Sequence, residues 1–85
     1  MENQPIRLII ADDHAIFRDG LRRLLATQAD FQVIGEASDG KEAIALAQSV
    51  KPDVLLLDLA MPRVPGMEVL RELSRQETPV RTILL

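Results

Sequence analysis

The sequence predicts an α/β fold, a parallel sheet wound with helices on both faces, and three observations predict it. Two unbroken apolar runs, Leu8-Ile9-Ile10-Ala11 and Val54-Leu55-Leu56-Leu57, have the length and character of strands buried on both faces. Segments of strand character alternate with segments of helical period, an order that specifies parallel strands joined by right-handed crossovers. Both apolar runs end in acid, the first at Asp12-Asp13 and the second at Asp58. In open parallel sheets the ligand site lies beyond the carboxyl ends of the strands. Lying side by side, these two strands would bring three carboxylates together there. Such a group repels itself and needs a cation, and oxygen-only ligands suit Mg²⁺.

Each element has its own signal. Ile6 to Ala11 reads as the first strand. Ala15 to about Gln28 reads as a helix whose Phe17, Leu21, Leu24 and Leu25 form one apolar stripe. Arg18, Arg22 and Arg23 fall off that stripe and are expected in solvent. Phe31 to Ala37 reads as the second strand, with Phe31, Val33 and Gly35 on one face. Asp39 stands three residues before Glu42, a capping box with Asp at the cap. The helix it opens carries Ala43, Ile44, Ala47 and Val50 inward. Lys51-Pro52 ends that helix, because the residue before proline avoids the helical region. Val54 to Asp58 is the third strand, and Leu59 to Pro65 a loop with two prolines. Gly66 to about Arg75 is the third helix, with Val69, Leu70 and Leu73 inward. Pro79 to Leu85 is the fourth strand.

Composition narrows the function classes. The chain has 85 residues, one domain or a piece of one. A domain this small buries only about 60% of its unfolded surface, so its stability is expected to be marginal. A hydrophobic content of 47% argues against disorder. There is no cysteine, hence no disulfide framework and no thiolate metal site. No run approaches the roughly 18 apolar residues of a membrane span, and the polar N-terminus carries no signal-peptide pattern. A cytoplasmic protein is expected. The net charge of −3 without a basic cluster argues against direct nucleic-acid binding by this chain.

Each site residue has a plainer reading beside the functional one. Asp is a common helix cap, and Asp13 stands just before a helix. Asp58 alone is an ordinary strand-end acid. His14 reads as a solvated loop histidine on the rim, rather than a metal ligand or acid catalyst. Arg63 reads as a solvated charge. Lys41, at a helix start after the second strand, reads as away from the site. Met61-Pro62 reads as loop geometry, with Pro62 stiffening the turn beside Asp58. Gly66 reads as permitting helix entry or close approach.

Taken together, the acidic pair after strand one, Asp58-Leu59-Ala60-Met61-Pro62 after strand three, and Gly66 eight residues after Asp58 resemble the receiver domain of bacterial two-component response regulators. The resemblance covers the whole chain. Ile9-Ile10-Ala11-Asp12-Asp13-His14 with Phe17-Arg18-Asp19-Gly20-Leu21 looks most like the branch carrying a LuxR-type helix-turn-helix output domain. The resemblance implies a flavodoxin-like (CheY-like) doubly wound sheet in the order 2-1-3-4. It implies that Asp58 is the phosphoacceptor, a nucleophile toward the phosphohistidine of a sensor histidine kinase or a small phosphodonor. Asp13 and Asp58 would bind Mg²⁺ directly, Asp12 through water, and the backbone carbonyl of Ala60 would add a ligand. DNA would be reached only through an output domain not in this chain. Residues 1–85 would be the N-terminal part of the receiver.

The chain departs from the family in two ways. Pro65 stands where Asp or Asn often precedes the glycine; proline can serve in a first helical turn. The chain also ends before the Ser or Thr of strand four, the Lys of strand five, the fifth strand and the last two helices. Slow or undetectable phosphorylation of the 85 residues alone is therefore expected. An apolar fourth strand at an open edge, with Val80, Ile83, Leu84 and Leu85, suggests a homodimer or higher oligomer through that strand or the uncovered sheet faces. Two other functions compete. A haloacid-dehalogenase-like phosphatase also uses a strand-end Asp and Mg²⁺, but its acid/base Asp two residues on is Ala60 here. A dimerising or interaction module without phosphoryl switching is the other.

Overall fold

The structure, a computed structural model, describes residues 4–58, 61, 66–77 and 79–85. Its elements are β1 (Ile6–Ala11), α1 (Ala15–Ala26), β2 (Phe31–Ala37), α2 (Gly40–Val50), β3 (Val54–Leu57), α3 (Gly66–Arg75) and β4 (Arg81–Leu84). The strands form one parallel sheet in the order β2-β1-β3-β4. Asp58 lies just past β3, and β4 is shorter than its sequence pattern because Pro79 and Val80 stay outside the ladder.

Two faces of unequal quality result. On one, α2 and α3 cover Ile9, Ala11, Ala37, Leu55 and Leu57 with Ala43, Ala47, Val69 and Leu73. Alanines at the α2 contact let that helix lie close to the sheet. Met61 joins this core and is buried, so it packs as well as turning the chain. Among the described residues, the helix on the opposite face, that of Leu8, Ile10 and Leu56, is α1. No residue of α1 is buried, and Phe17 is 51% exposed. Leu24 is exposed as well. Of the expected apolar stripe, Leu21 and Leu25 are half-buried, while Phe17 and Leu24 are exposed. Periodicity identifies the apolar side of a helix and says nothing of what covers it.

β2 departs from its sequence expectation through a bulge. Leu8 pairs with Val33 but Ile9 pairs with Gly35, so the register slips by one at Ile34. Phe31 and Val33 share the α1 face with Ile6 and Leu8. Gly35 turns to the α2 face, toward the side chains of Leu46 and Ile9. Gly35 therefore does not share a face with Val33. One extra residue re-aims every side chain that follows. Glu36, paired with Ile10, faces α1 in consequence.

The ends of α2 are held by side chains. Asp39 accepts from the Glu42 N–H at 2.9 Å. The Glu42 carboxylate reaches back to the Ser38 N–H at 2.7 Å, one residue earlier than a capping box requires. At the other end Lys51 takes the left-handed conformation, φ 49°, and its N–H donates to the Ala47 carbonyl. Arg7 of β1 donates to the carbonyls of Val50 at 2.7 Å and Lys51 at 2.8 Å. Its backbone N–H donates to the Asp53 carboxylate at 2.8 Å.

Arg7 thus ties the C-terminus of α2 to the sheet through charge-assisted bonds. Arg7→Ala is expected to cost about 1–2 kcal/mol, read from the urea midpoint at constant m. An unchanged midpoint would show that water replaces the guanidinium without loss.

Candidate metal and phosphoacceptor site

Register builds the site. Ala11 of β1 stands opposite Ala37 of β2 and Leu57 of β3. The ladders run one residue further on each side: the Asp12 N–H donates to the Ala37 carbonyl at 3.0 Å, and the Asp58 N–H to the Ala11 carbonyl at 2.9 Å. Asp12 and Asp58 therefore leave adjacent strands at one level. Asp12, Asp13, His14 and Asp58 each offer a ligand atom, and these atoms lie within 4.8 Å of one another. Asp12 is 4% exposed, Asp13 and His14 are exposed, and Asp58 is half-buried.

The turn between β1 and α1 shapes the cluster. The His14 N–H donates to Asp12 Oδ1 at 2.8 Å, closing an Asx turn that carries the chain from strand to helix. The imidazole folds back over the acids, its Nδ1 at 3.0 Å from Asp12 Oδ1 and 3.1 Å from Asp13 Oδ1. The hydrogen bond to Asp12, followed by the charges of Asp13 and Asp12, raises the His14 pKa above its ordinary value of 6.5. His14 is 72% exposed, as a rim residue should be, yet its ring sits on the carboxylates rather than free in solvent. The sequence reading missed this contact.

Arg18 also departs from expectation. Its side chain is only 19% exposed. Nη1 donates to the Asp12 carbonyl at 2.6 Å, and Nε to Glu36 Oε1 at 3.0 Å. Arg22 joins Glu36 through Nε at 3.2 Å, so it too is paired, and the exposed Arg23 pairs with Asp19 at 2.9 Å. No sequence signal marks this network, because the bulge at Ile34 decides which way Glu36 faces. Lys41 is exposed in the first turn of α2 and is not in the cluster. Ala60, Pro62, Arg63 and Pro65 lie outside the described residues.

The arrangement suits a small hard cation. Three carboxylates this close are costly without a counter-charge, and their oxygens match what Mg²⁺ accepts while it keeps several waters. A strand-end carboxylate beside such a cation is also a competent nucleophile toward phosphorus.

Comparison with known proteins decides the family. The profile described as "Response regulator receiver domain" matches residues 8–85. The chain belongs to the response regulator receiver family. It is 39% identical to the transcriptional regulatory protein DegU of Brevibacillus brevis over 85 residues, covering 100% of this chain and 36% of that protein. It superposes on the signal receiver domain of NarL from Mycobacterium tuberculosis with a TM-score of 0.92 and 38% identity, covering 96% of this chain and 66% of that one. A LuxR-family DNA-binding response regulator from Staphylococcus aureus matches with a TM-score of 0.87 and 30% identity, covering 93% and 66%. The relatives are thus LuxR/NarL-type regulators, and the chain spans about a third of the curated one. Receiver domains are signalling domains. Among the described residues, no helix is long and apolar enough to cross a membrane.

His14 makes the electrostatics measurable. In metal-free protein, NMR of its ring protons is expected to show titration above 6.5. Because the folded pKa is the higher, the stability contributed by protonated His14 is full below 6.5 and is lost as pH rises through the folded value. Asp12→Asn should lower the His14 pKa most and Asp13→Asn less. A pKa unmoved by either would contradict the contact.

Proposed function

We propose that this chain is the phosphoacceptor part of a response regulator, taking a phosphoryl group on Asp58 from a sensor histidine kinase with Mg²⁺. The observation that carries the proposal is the meeting of Asp58 with Asp12 and Asp13 at the carboxyl ends of β1 and β3. A carboxylate oxygen of Asp58 attacks phosphorus; the P–O bond forms as the P–N bond to the kinase histidine breaks, leaving the imidazole. By the family resemblance, Asp13 and Asp58 would hold the cation directly and Asp12 through water, and the Ala60 carbonyl would be a further ligand. Bound Mg²⁺ supplies charge neutralisation at the phosphoryl oxygens, the larger part of what phosphoryl transfer needs. The chain's own residues align the nucleophile and space the acids. The 85 residues act as the front part of a receiver, in the cytoplasm. In a longer parent protein the signal passes to a DNA-binding output of the LuxR type.

Self-pairing along β4 is a second partner proposal. β4 is an edge strand here, and Ile83, Leu84 and Leu85 are about half exposed. A fifth strand in a longer chain would compete for that edge, so light scattering on both lengths tests it. A monomer at both lengths overturns it.

Two measurements test the principal proposal. Asp58→Asn keeps the shape but removes the anionic nucleophile, and in the full-length protein it should abolish uptake of phosphate from acetyl phosphate and Mg²⁺. Continued labelling of that variant would move the acceptor elsewhere. Asp13→Asn should weaken Mg²⁺ binding by about tenfold or more in calorimetric titration, since a unit charge at about 4 Å is worth a few kcal/mol near a protein surface. Undiminished affinity would remove Asp13 from the ligand set.

A further inference from the structure

We propose that Arg18 is a positioning residue for the cation site: its guanidinium clamps the Asp12–Asp13 peptide to the end of β2 and so fixes where the acidic pair points. The inference rests on the cation reading above.

Asp12 is the last residue β1 can align by its ladder. Its N–H is taken by the Ala37 carbonyl of β2. Its carbonyl has passed the end of the ladder, at the place where the chain must turn into α1. Arg18, in the first turns of α1, donates to that carbonyl at 2.6 Å and at the same time to Glu36 of β2 at 3.0 Å. Both groups of Asp12 are thereby anchored on consecutive residues of β2, the N–H directly on Ala37 and the carbonyl through Arg18 on Glu36. Holding that carbonyl holds the peptide plane between Asp12 and Asp13. The plane sets the direction in which the Asp13 side chain leaves the backbone.

Surface ion pairs contribute little as a rule, and Arg22 with Glu36 is of that kind. Arg18 differs in two respects. Its side chain is largely covered, and its second bond goes to the backbone of a cluster residue rather than to a side chain. The fork of a guanidinium suits it to this bridging. A lysine ammonium is a point charge on a flexible stem and cannot reproduce the planar, two-pronged contact.

The charge of Arg18 makes the test decisive. A positive group beside three carboxylates repels a second cation. If Arg18 acted only through its charge, removing it would tighten Mg²⁺ binding. If it positions the acidic pair, removing it loosens binding, by about tenfold if the peptide clamp matters as much as hydrogen bonds to ligand side chains do.

Calorimetric Mg²⁺ titration of wild type, Arg18→Met, Arg18→Lys and Arg22→Met, at constant ionic strength, separates the cases. Urea unfolding of each identifies any variant that is not folded. The expected result is a loss of about tenfold for Arg18→Met, a smaller loss for Arg18→Lys, and affinity within about twofold of wild type for Arg22→Met. Arg22→Met loses the same charge and the same Glu36 partner but leaves the Asp12 carbonyl bonded. Arg18→Met that binds Mg²⁺ as well as or better than wild type overturns the proposal, and so does an equal loss in Arg22→Met. If Arg18→Met fails to fold, Arg18→Lys against Arg22→Met decides on the same criterion. A wild type that binds no Mg²⁺ overturns the cation reading itself, which is a separate result.

Discussion

The parallel register of β1 against β3 is the constraint on which the rest depends. With Ala11 opposite Leu57, the next residue of each strand is an aspartate, and the Asp58 N–H closes the last rung on the Ala11 carbonyl. A slip of one residue would point the side chains of β3 to opposite faces and draw Asp58 away from Asp12. Burial enforces the register. Ile9, Leu55 and Leu57 are fully covered on the α2–α3 side, and a slip would turn Leu55 and Leu57 away from the core they complete there. Core packing far from solvent therefore sets the spacing of charged groups at the rim.

The same sheet places opposing demands on its two faces. The face under α2 and α3 is closed by alanines and branched side chains, and it carries the register. Under α1 the sheet residues Leu8, Ile10 and Leu56 are buried, while Phe17 and Leu24 of the helix are exposed. Its contacts near the site are polar instead, through Arg18, Arg22 and Glu36. The bulge at Ile34 converts one arrangement into the other. It turns Gly35 to the α2 face, beside Leu46 and Ile9, and gives the α1 face the carboxylate that receives Arg18. A regular strand could do one of these things but not both.

These relations explain which parts were legible in the sequence. Strand and helix types and their order follow from local signals, while the meeting of Asp12, Asp13 and Asp58 follows only once β1 and β3 are neighbours, which the family resemblance implies. Two apolar runs of strand length, helical periods between them and Asp39 before Glu42 each act within a few residues. The positions of Phe17 and Leu24, Arg18 and His14 depend on what lies across a tertiary gap. Nothing within α1 tells Arg18 from Arg23, since both lie off the apolar stripe. One meets Glu36 because β2 is bulged, and the other stays exposed and pairs with Asp19 of its own helix. The neighbours of Met61 likewise read as loop geometry, although its side chain is buried in the core.

Crowded carboxylates are a conditional liability, and the surrounding groups show how the chain contains it. The least exposed acid, Asp12, has its carboxylate bonded to the His14 N–H and ring and its carbonyl to Arg18. The more exposed Asp13 and the half-buried Asp58 are left nearer to water, where ions exchange. His14 lies on the solvent side of the cluster and carries a positive charge most readily when no divalent cation is near. It relieves repulsion among the acids without closing the site, because it hangs on one short turn rather than on the sheet. Arg18 thus bonds the Asp12 carbonyl from the side of β2, and His14 bonds the carboxylates from the exposed side.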